Sequence, residues 1–442
     1  MRPMQHFNPS PIHFLIHCGV LLAAQARLLA PHAGEPAAPL VPAVECRERS
    51  GLPNFFAKLE SASEVRVAYL GGSITAQEGW RPKTLAWFRD KFPAAKIGEI
   101  NAAIGGTGSD LGVFRLRQDV LAQKPDLLFV EFAVNDGGAE PARIYRAMEG
   151  IVRQTWRDNP ATDICYVYTL AGNMLETLKE GRFPQAASAM EKVADHYGIP
   201  SIHMGLEVAL LDKAGKLVFK GEKPKTETER KALDGKILFS QDAVHPYPDT
   251  GHQLYLEAVV RSMAKIQAVG KPGPHALPAP FLTDNWEAAR LIPLSRARLS
   301  AGWQRLDPTN HTLARSFSNR LPELWKASQP GESVTFRFRG TTARIYDLMG
   351  PDCGQVTVAV DDRPPAVQPR FDSYCTYHRL STLSVCEGLQ DRVHAVKITI
   401  HPDQPDKARI LSQRNEKIDD PKRFDATCWY AGAILLLGDW IE

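Results

Sequence analysis

The chain has 442 residues, 44% hydrophobic and 23% charged, the composition of a globular protein with apolar material for more than one core. A formal net charge of +3 is small for this length and argues against a nucleic-acid-binding protein, which would show a basic stripe or a markedly basic domain. After the N-terminal segment no stretch is long and apolar enough to span a bilayer, so no stable membrane insertion is expected.

The N-terminus comes first. The run Ile12 to Ala24 is apolar and follows Arg2, and Ala24-Gln-Ala26 supplies a small-x-small cleavage pattern. Residues 1–30 read as a secretory signal peptide and tail, which predicts a secreted or periplasmic protein. Seven cysteines occur, none at C-x-x-C spacing, and four of them lie between 353 and 428. In an oxidising compartment these suit one or two disulfides; the alternative is small buried side chains.

From residue 64 to 269, short apolar runs alternate with helical patterns. Strands are expected at Val65–Leu70, Ile97–Ala102, Leu127–Phe132, Ile164–Leu170 and Pro200–His203. Helices are expected at Thr84–Phe92, Leu111–Gln123, Ile144–Trp156, Gln185–Tyr197 and His252–Val269. Such alternation predicts a parallel sheet covered on both faces, with a functional site at the C-terminal edge of the strands. The lysine-rich residues 212–236 read as a solvated insertion or long loop.

Lys271 to Pro280 is proline-rich and reads as a stiff linker. Beyond it the hydrophobic period becomes two. Val334, Phe336 and Phe338 alternate with polar residues, as do Val356, Val358 and Val360, and Val396, Ile398 and Ile400. Turn residues separate these runs, which is the pattern of an antiparallel β-sandwich. The expected organisation is an α/β domain over 40–270, a linker over 271–281 and a β-sandwich over 282–442.

Four blocks fall at predicted strand ends. Gly71-Gly-Ser73-Ile-Thr75 puts a serine in a glycine turn after the first strand. Gly105-Gly106 follows the second strand and exposes amide donors for a developing oxyanion. Phe132-Ala-Val-Asn135-Asp136 ends the third strand, and Asn135 offers a neutral side-chain donor. Asp242-Ala-Val-His245 puts a carboxylate three residues before an imidazole, so that the acid can orient the base. Singly, each block is also compatible with a simple turn. A metal reading lacks a second cluster with ligand spacing, and no cofactor motif occurs. His203 and His252 read as structural or exposed.

In this order the blocks resemble the SGNH (GDSL-like) hydrolase superfamily over about residues 64–269. The resemblance implies a three-layer α/β/α, flavodoxin-like domain with a five-stranded parallel sheet. It implies Ser73 as nucleophile, Asp242 and His245 as its acid–base pair, and an oxyanion hole of Ser73, Gly106 and Asn135. The usual Gly-Asp-Ser of the first block is here Gly71-Gly72-Ser73. That variant, with Phe-Ala-Val-Asn-Asp, resembles a subset of secreted bacterial esterases acting on polysaccharides, several of which carry a β-sandwich (jelly-roll-like) domain. The implied function is removal of O-acetyl groups from a carbohydrate partner. The alternatives are an acyltransferase, lipase or thioesterase with the same nucleophile, and an inactive glycan-binding protein. In the β domain, Tyr374, Tyr377 and Arg379 are candidate sugar-binding side chains; the plainer alternative is a sandwich core, and a third is closure of the acyl pocket.

Overall fold

A computed structural model describes residues 39–442. The predicted signal segment, with Cys18, lies outside the described residues. The first domain is built on strands β1 (Cys46–Arg47), β2 (Glu64–Gly71), β3 (Lys96–Asn101), β4 (Leu127–Glu131), β5 (Asp163–Tyr168) and β6 (Ser201–His203). Their order in the sheet is β1-β6-β5-β4-β2-β3. β2 to β6 pair in parallel, as the alternating pattern predicts, and β1 adds a short antiparallel edge beside β6.

The central strands are buried on both faces, which is why they read as continuous apolar runs. Helices α1 (Pro53–Glu60), α2 (Ser73–Ala76), α3 (Trp80–Lys91), α4 (Ser109–Asp119), α5 (Pro141–Asp158), α6 (Leu175–Lys179), α7 (Gln185–Tyr197), α8 (Leu206–Lys213), α9 (Glu227–Ala232) and α10 (Gly251–Ile266) complete the domain. α4, α5 and α7 pack together on one face, and α3, α8 and α10 on the other. α5 starts on Pro141, whose missing N–H costs nothing at a helix start. α7 ends at Gly198, which takes the left-handed conformation at φ +67°.

The insertion differs from its sequence reading. Instead of a solvated loop, β7 (Leu217–Lys220) and β8 (Ile237–Ser240) form a two-stranded parallel sheet joined through α9. Its core is small: Phe219 stacks on Phe239 at 4.9 Å, and Phe239 packs on Tyr255 of α10. Strands of only four residues, each preceded by a lysine, hide that core from periodicity. β8 leads directly into Asp242 and His245.

The proline-rich segment is fastened along the first domain rather than spanning free space. Gly273 exchanges hydrogen bonds with the Asn54 side chain at 2.8 and 2.9 Å. His275 Nε2 meets Asp163 Oδ1 at 2.7 Å, and its ring stacks on Trp156 at 4.7 Å. Glu149, buried in α5, accepts the Leu282 N–H at 2.8 Å.

The second domain is all-antiparallel. It comprises β9 (Ala289–Pro293), β10 (Arg298–Leu299), β11 (Gln304–Leu306), β12 (Leu324–Ala327), β13 (Ser333–Met349), β14 (Gln355–Val360), β15 (Ala366–Pro369), β16 (Arg379–Cys386), β17 (Arg392–Ile400) and β18 (Trp429–Ile441). The long strand β13 is shared: its first half pairs with β17 and its second half with β16, while β18 runs along its other side. Val334, Phe338, Val358, Leu383, Ile398 and Leu436 therefore meet in one core between the arms. A larger core crosses the domain boundary, joining residues of α4 and α5 to Trp286, Tyr346, Leu348 and Leu435. No helix among the described residues is long and apolar enough to cross a membrane.

Candidate active site

β2 ends at Gly71, and Ser73 opens the short helix α2 at the C-terminal edge of the sheet. Gly72 is extended, with φ −91° and ψ −155°. A Cβ built on Gly72 would lie 1.8 Å from Asn135 Oδ1 and 2.8 Å from its Cγ. A side chain at position 72 would therefore require the Asn135 amide to move from the place it takes against the nucleophile's turn.

Beneath the turn sits Glu131, the last residue of β4 and 1% exposed. Its Oε2 accepts the Thr75 hydroxyl at 2.8 Å and its Oε1 the Thr169 hydroxyl at 2.7 Å, and it also accepts the Gly72 N–H. Burial pushes this carboxyl up, and the three hydrogen bonds offset part of the rise. Sequence reading passed over Glu131. A charged residue ending an otherwise apolar strand was its one available signal.

Ser73 Oγ lies 2.9 Å from His245 Nε2, and His245 Nδ1 lies 2.7 Å from Asp242 Oδ2. Asp242 Oδ1 accepts the backbone N–H groups of Val244 and His245 at 2.9 and 2.8 Å. Partial burial raises the Asp242 carboxyl, but the bonds from the His245 backbone, its ring and Val244 outweigh this and hold it below its ordinary value. The D-x-x-H spacing therefore works as an Asx-type turn whose second oxygen meets the ring. The turn needs Ala243 at φ +67°, a conformation rare without glycine. Gly172 N–H donates to Ala243 O at 2.8 Å, and Ser240 Oγ accepts the Ala243 N–H at 3.1 Å, which fixes it.

The Gly106 loop is tied to the same edge. Ile104 N–H donates to Gly71 O at 2.9 Å, and Gly106, exposed, has φ +72°. Asp136, next to Asn135, accepts the Ser109 N–H on Oδ1 at 3.0 Å, so blocks two and three are bonded to each other. Asp136 is 4% exposed, and its Oδ2 has no partner. Burial, opposed by the Ser109 bonds and reinforced by the charge of Asp110, pushes its carboxyl up to about 7. The structure thus brings Ser73, Asp242 and His245 into one hydrogen-bonded chain and sets Asn135 against Gly72.

The other candidates have separate surroundings. Tyr374 lies under the Arg414 guanidinium at 3.8 Å and near that of Arg379 at 5.7 Å. Arg379 is itself paired with Asp372. Tyr377 is 49% exposed. His203 is buried and stacked on Phe183 at 5.1 Å, with burial pulling its imidazole down to about 3. His252 is buried too, and its Nδ1 accepts the Trp80 N–H at 3.1 Å. Both are structural.

Among the described residues one group has metal-ligating atoms close together: Asp352, Cys353 and His378, within 4.8 Å of one another in the β domain. Both Asp352 oxygens are already engaged, by His378 Nε2 at 2.7 Å and by the Tyr430 hydroxyl at 2.6 Å. The ammonium of Lys407 donates to Pro351 O at 3.1 Å beside it, which disfavours a further cation. All six described cysteines are free thiols, and burial raises those of Cys165 and Cys353 well above their ordinary value.

An α/β/α sandwich with Ser73, Gly106 and Asn135 after strands β2, β3 and β4, and His245 in the turn after β8, defines an SGNH-type hydrolase domain. Residues 69–254 match the family model of the GDSL-like Lipase/Acylhydrolase family. The chain is a carboxylic ester hydrolase with a second, all-β domain. Its two-domain fold is similar to the solved structure of a two-domain esterase (CEX) active on acetylated mannans, co-crystallized with mannopentaose. That likeness has 19% identity over 89% of this chain and 96% of that chain, with a TM-score of 0.67. A second structure of a two-domain esterase (CEX) active on acetylated mannans gives 19% identity, 89% and 97% coverage, and a TM-score of 0.65. No curated protein matches the chain.

Proposed function

We propose that this protein is a serine esterase that removes O-acetyl groups from a carbohydrate, a polysaccharide, through an acyl-enzyme. The observation that carries the reading is the chain Asp242–His245–Ser73, with separations of 2.7 and 2.9 Å. Ser73 Oγ attacks the ester carbonyl while its proton passes to His245 Nε2. Asp242 holds the Nδ1–H and stabilises the charged ring. The oxyanion is met by the N–H groups of Ser73 and Gly106 and by the Asn135 amide. The tetrahedral adduct collapses as His245 returns the proton to the departing sugar oxygen. Water, deprotonated by His245, then attacks the acetyl-serine and releases acetate.

Two things support the substrate class: the two-domain fold shared with esterases active on acetylated mannans, and the variant first block. Export of the mature chain belongs to the same reading and rests on residues 1–30. An acetyl-release assay on acetylated polysaccharides, with octanoyl esters as the contrast, tests it. Equal turnover by wild type and Ser73→Ala defeats the nucleophile, and a preference for octanoyl esters defeats the acyl class.

A further inference from the structure

We propose that the β domain sets the oxyanion hole of the first domain, through Arg320 and Arg344, which grip the Gly106 loop from both ends. The inference rests on the reading of Gly106 as an oxyanion donor.

The loop between β3 and α4 runs from Ala102 to Gly108 and carries Gly106 at its exposed turn. A donor on an exposed, glycine-rich turn is useful only if its N–H direction is fixed before the reaction. The loop's early part is fixed through two consecutive carbonyls. Arg115 of α4, fully buried, donates to Ala102 O at 2.5 Å. Arg320, which lies between β11 and β12 of the second domain, donates to Ala103 O at 2.9 Å. Gln118 of α4 returns a bond to Arg320 O at 3.3 Å, so the segment carrying Arg320 is itself held.

The far end of the loop is fixed at the start of α4. Asp110 pairs with Arg344 of β13 at 3.1 Å and with Arg143 of α5 at 2.9 Å. Glu387, which follows β16, completes the square, meeting Arg344 at 2.6 Å and Arg143 at 3.2 Å. The Arg344 side chain is 3% exposed, and its guanidinium lies 5.6 Å from both the Phe114 and Trp286 rings. This is no loose surface pair. A rigid, planar guanidinium at a buried site holds geometry better than a flexible ammonium. Each anchor comes from a different part of the β domain, and Gly106 lies between the two points they hold.

The experiment uses the full chain with 4-nitrophenyl acetate as substrate and phenylboronic acid as the tetrahedral mimic on Ser73. Arg320→Met and Arg344→Met are expected to lower kcat about 10- to 100-fold, the scale of an ångström-level misplacement. KM should stay within about twofold, and the boronate inhibition constant should rise in step with the fall in kcat. Arg320→Lys should recover most of the activity, because one N–H suffices for Ala103 O. If the methionine variants do not fold, Asp110→Asn loosens the Arg344 end without vacating volume and is expected to lower kcat several-fold. Folded arginine variants with wild-type kcat, or with a raised KM and unchanged kcat, overturn the proposal. Should Ser73→Ala keep full activity, the reading of the site itself has failed; if it is inactive while the arginine variants are not, only the clamp has failed.

Discussion

Gly72 and Asn135 occupy adjoining space so closely that a side chain at position 72 would have to displace the Asn135 amide: its Cβ would stand 1.8 Å from Asn135 Oδ1. The two blocks are therefore matched, and Gly72→Asp, which recreates the common first-block sequence, should drive the amide away from the nucleophile. Loss of one oxyanion donor lowers kcat roughly 10²- to 10³-fold, and KM should change little. Steady-state kinetics on a short-chain ester checks it. Unchanged kcat would mean that Asn135 has another productive rotamer.

The hydrogen-bonded chain from Asp242 through His245 to Ser73 predicts a specific order of losses. Ser73→Ala should remove nearly all turnover, and Asp242→Asn should lower kcat by about 10⁴-fold, because the ring loses the acceptor that fixes its tautomer. Circular dichroism should show both variants folded. An Asp242→Asn enzyme within tenfold of wild type would remove Asp242 from the relay.

Glu131 accepts three donors beneath the nucleophile's turn. Glu131→Ala leaves the two hydroxyls and the Gly72 N–H unsatisfied in a dry site. The expected cost is about 2–4 kcal/mol of stability, read from urea unfolding. Glu131→Gln keeps an acceptor and should lose distinctly less. Equal losses would show that volume rather than hydrogen bonding sets the cost.

Asp136 predicts a pH signature. Its carboxyl is pushed up to about 7 by burial, from an ordinary value of 3.8, so the folded state holds the proton more tightly than the unfolded one. The stabilisation from that proton is complete below about pH 4 and is lost as the pH rises towards 7. Asp136→Asn escapes this loss and keeps an oxygen for the Ser109 N–H. Its thermal midpoint should exceed that of wild type by a few degrees at pH 8 but not at pH 4. Calorimetry at both values checks it, and equal shifts at both would argue against a buried proton.

What the sequence determined by itself was local. Apolar runs and helical periods placed the parallel strands and most of the large helices of the first domain, because burial on both faces leaves continuous apolar segments. The start of α10 at Gly251 was readable, as were the strands around Val334, Val356 and Val396. Ser73, Asn135 and the Asp242–His245 pair were legible as short motifs, since each sits at the end of a strand or in a tight turn that few residue types can form.

Tertiary structure decided what depends on partners distant in sequence. Residues 212–236 read as polar because the core of β7 and β8 is only a few side chains wide. The proline-rich stretch read as a spacer because its fastenings to Asn54, Asp163 and Glu149 come from far along the chain. Glu131 and Asp136 looked incidental because their roles depend on burial and on donors from other elements. The long strand β18 carries no alternation, being buried on nearly all sides. Above all, the grip of Arg320 and Arg344 on the Gly106 loop spans more than 200 residues of sequence. No local pattern encodes it, since a charged side chain on the far domain acquires its partner only when both cores have formed.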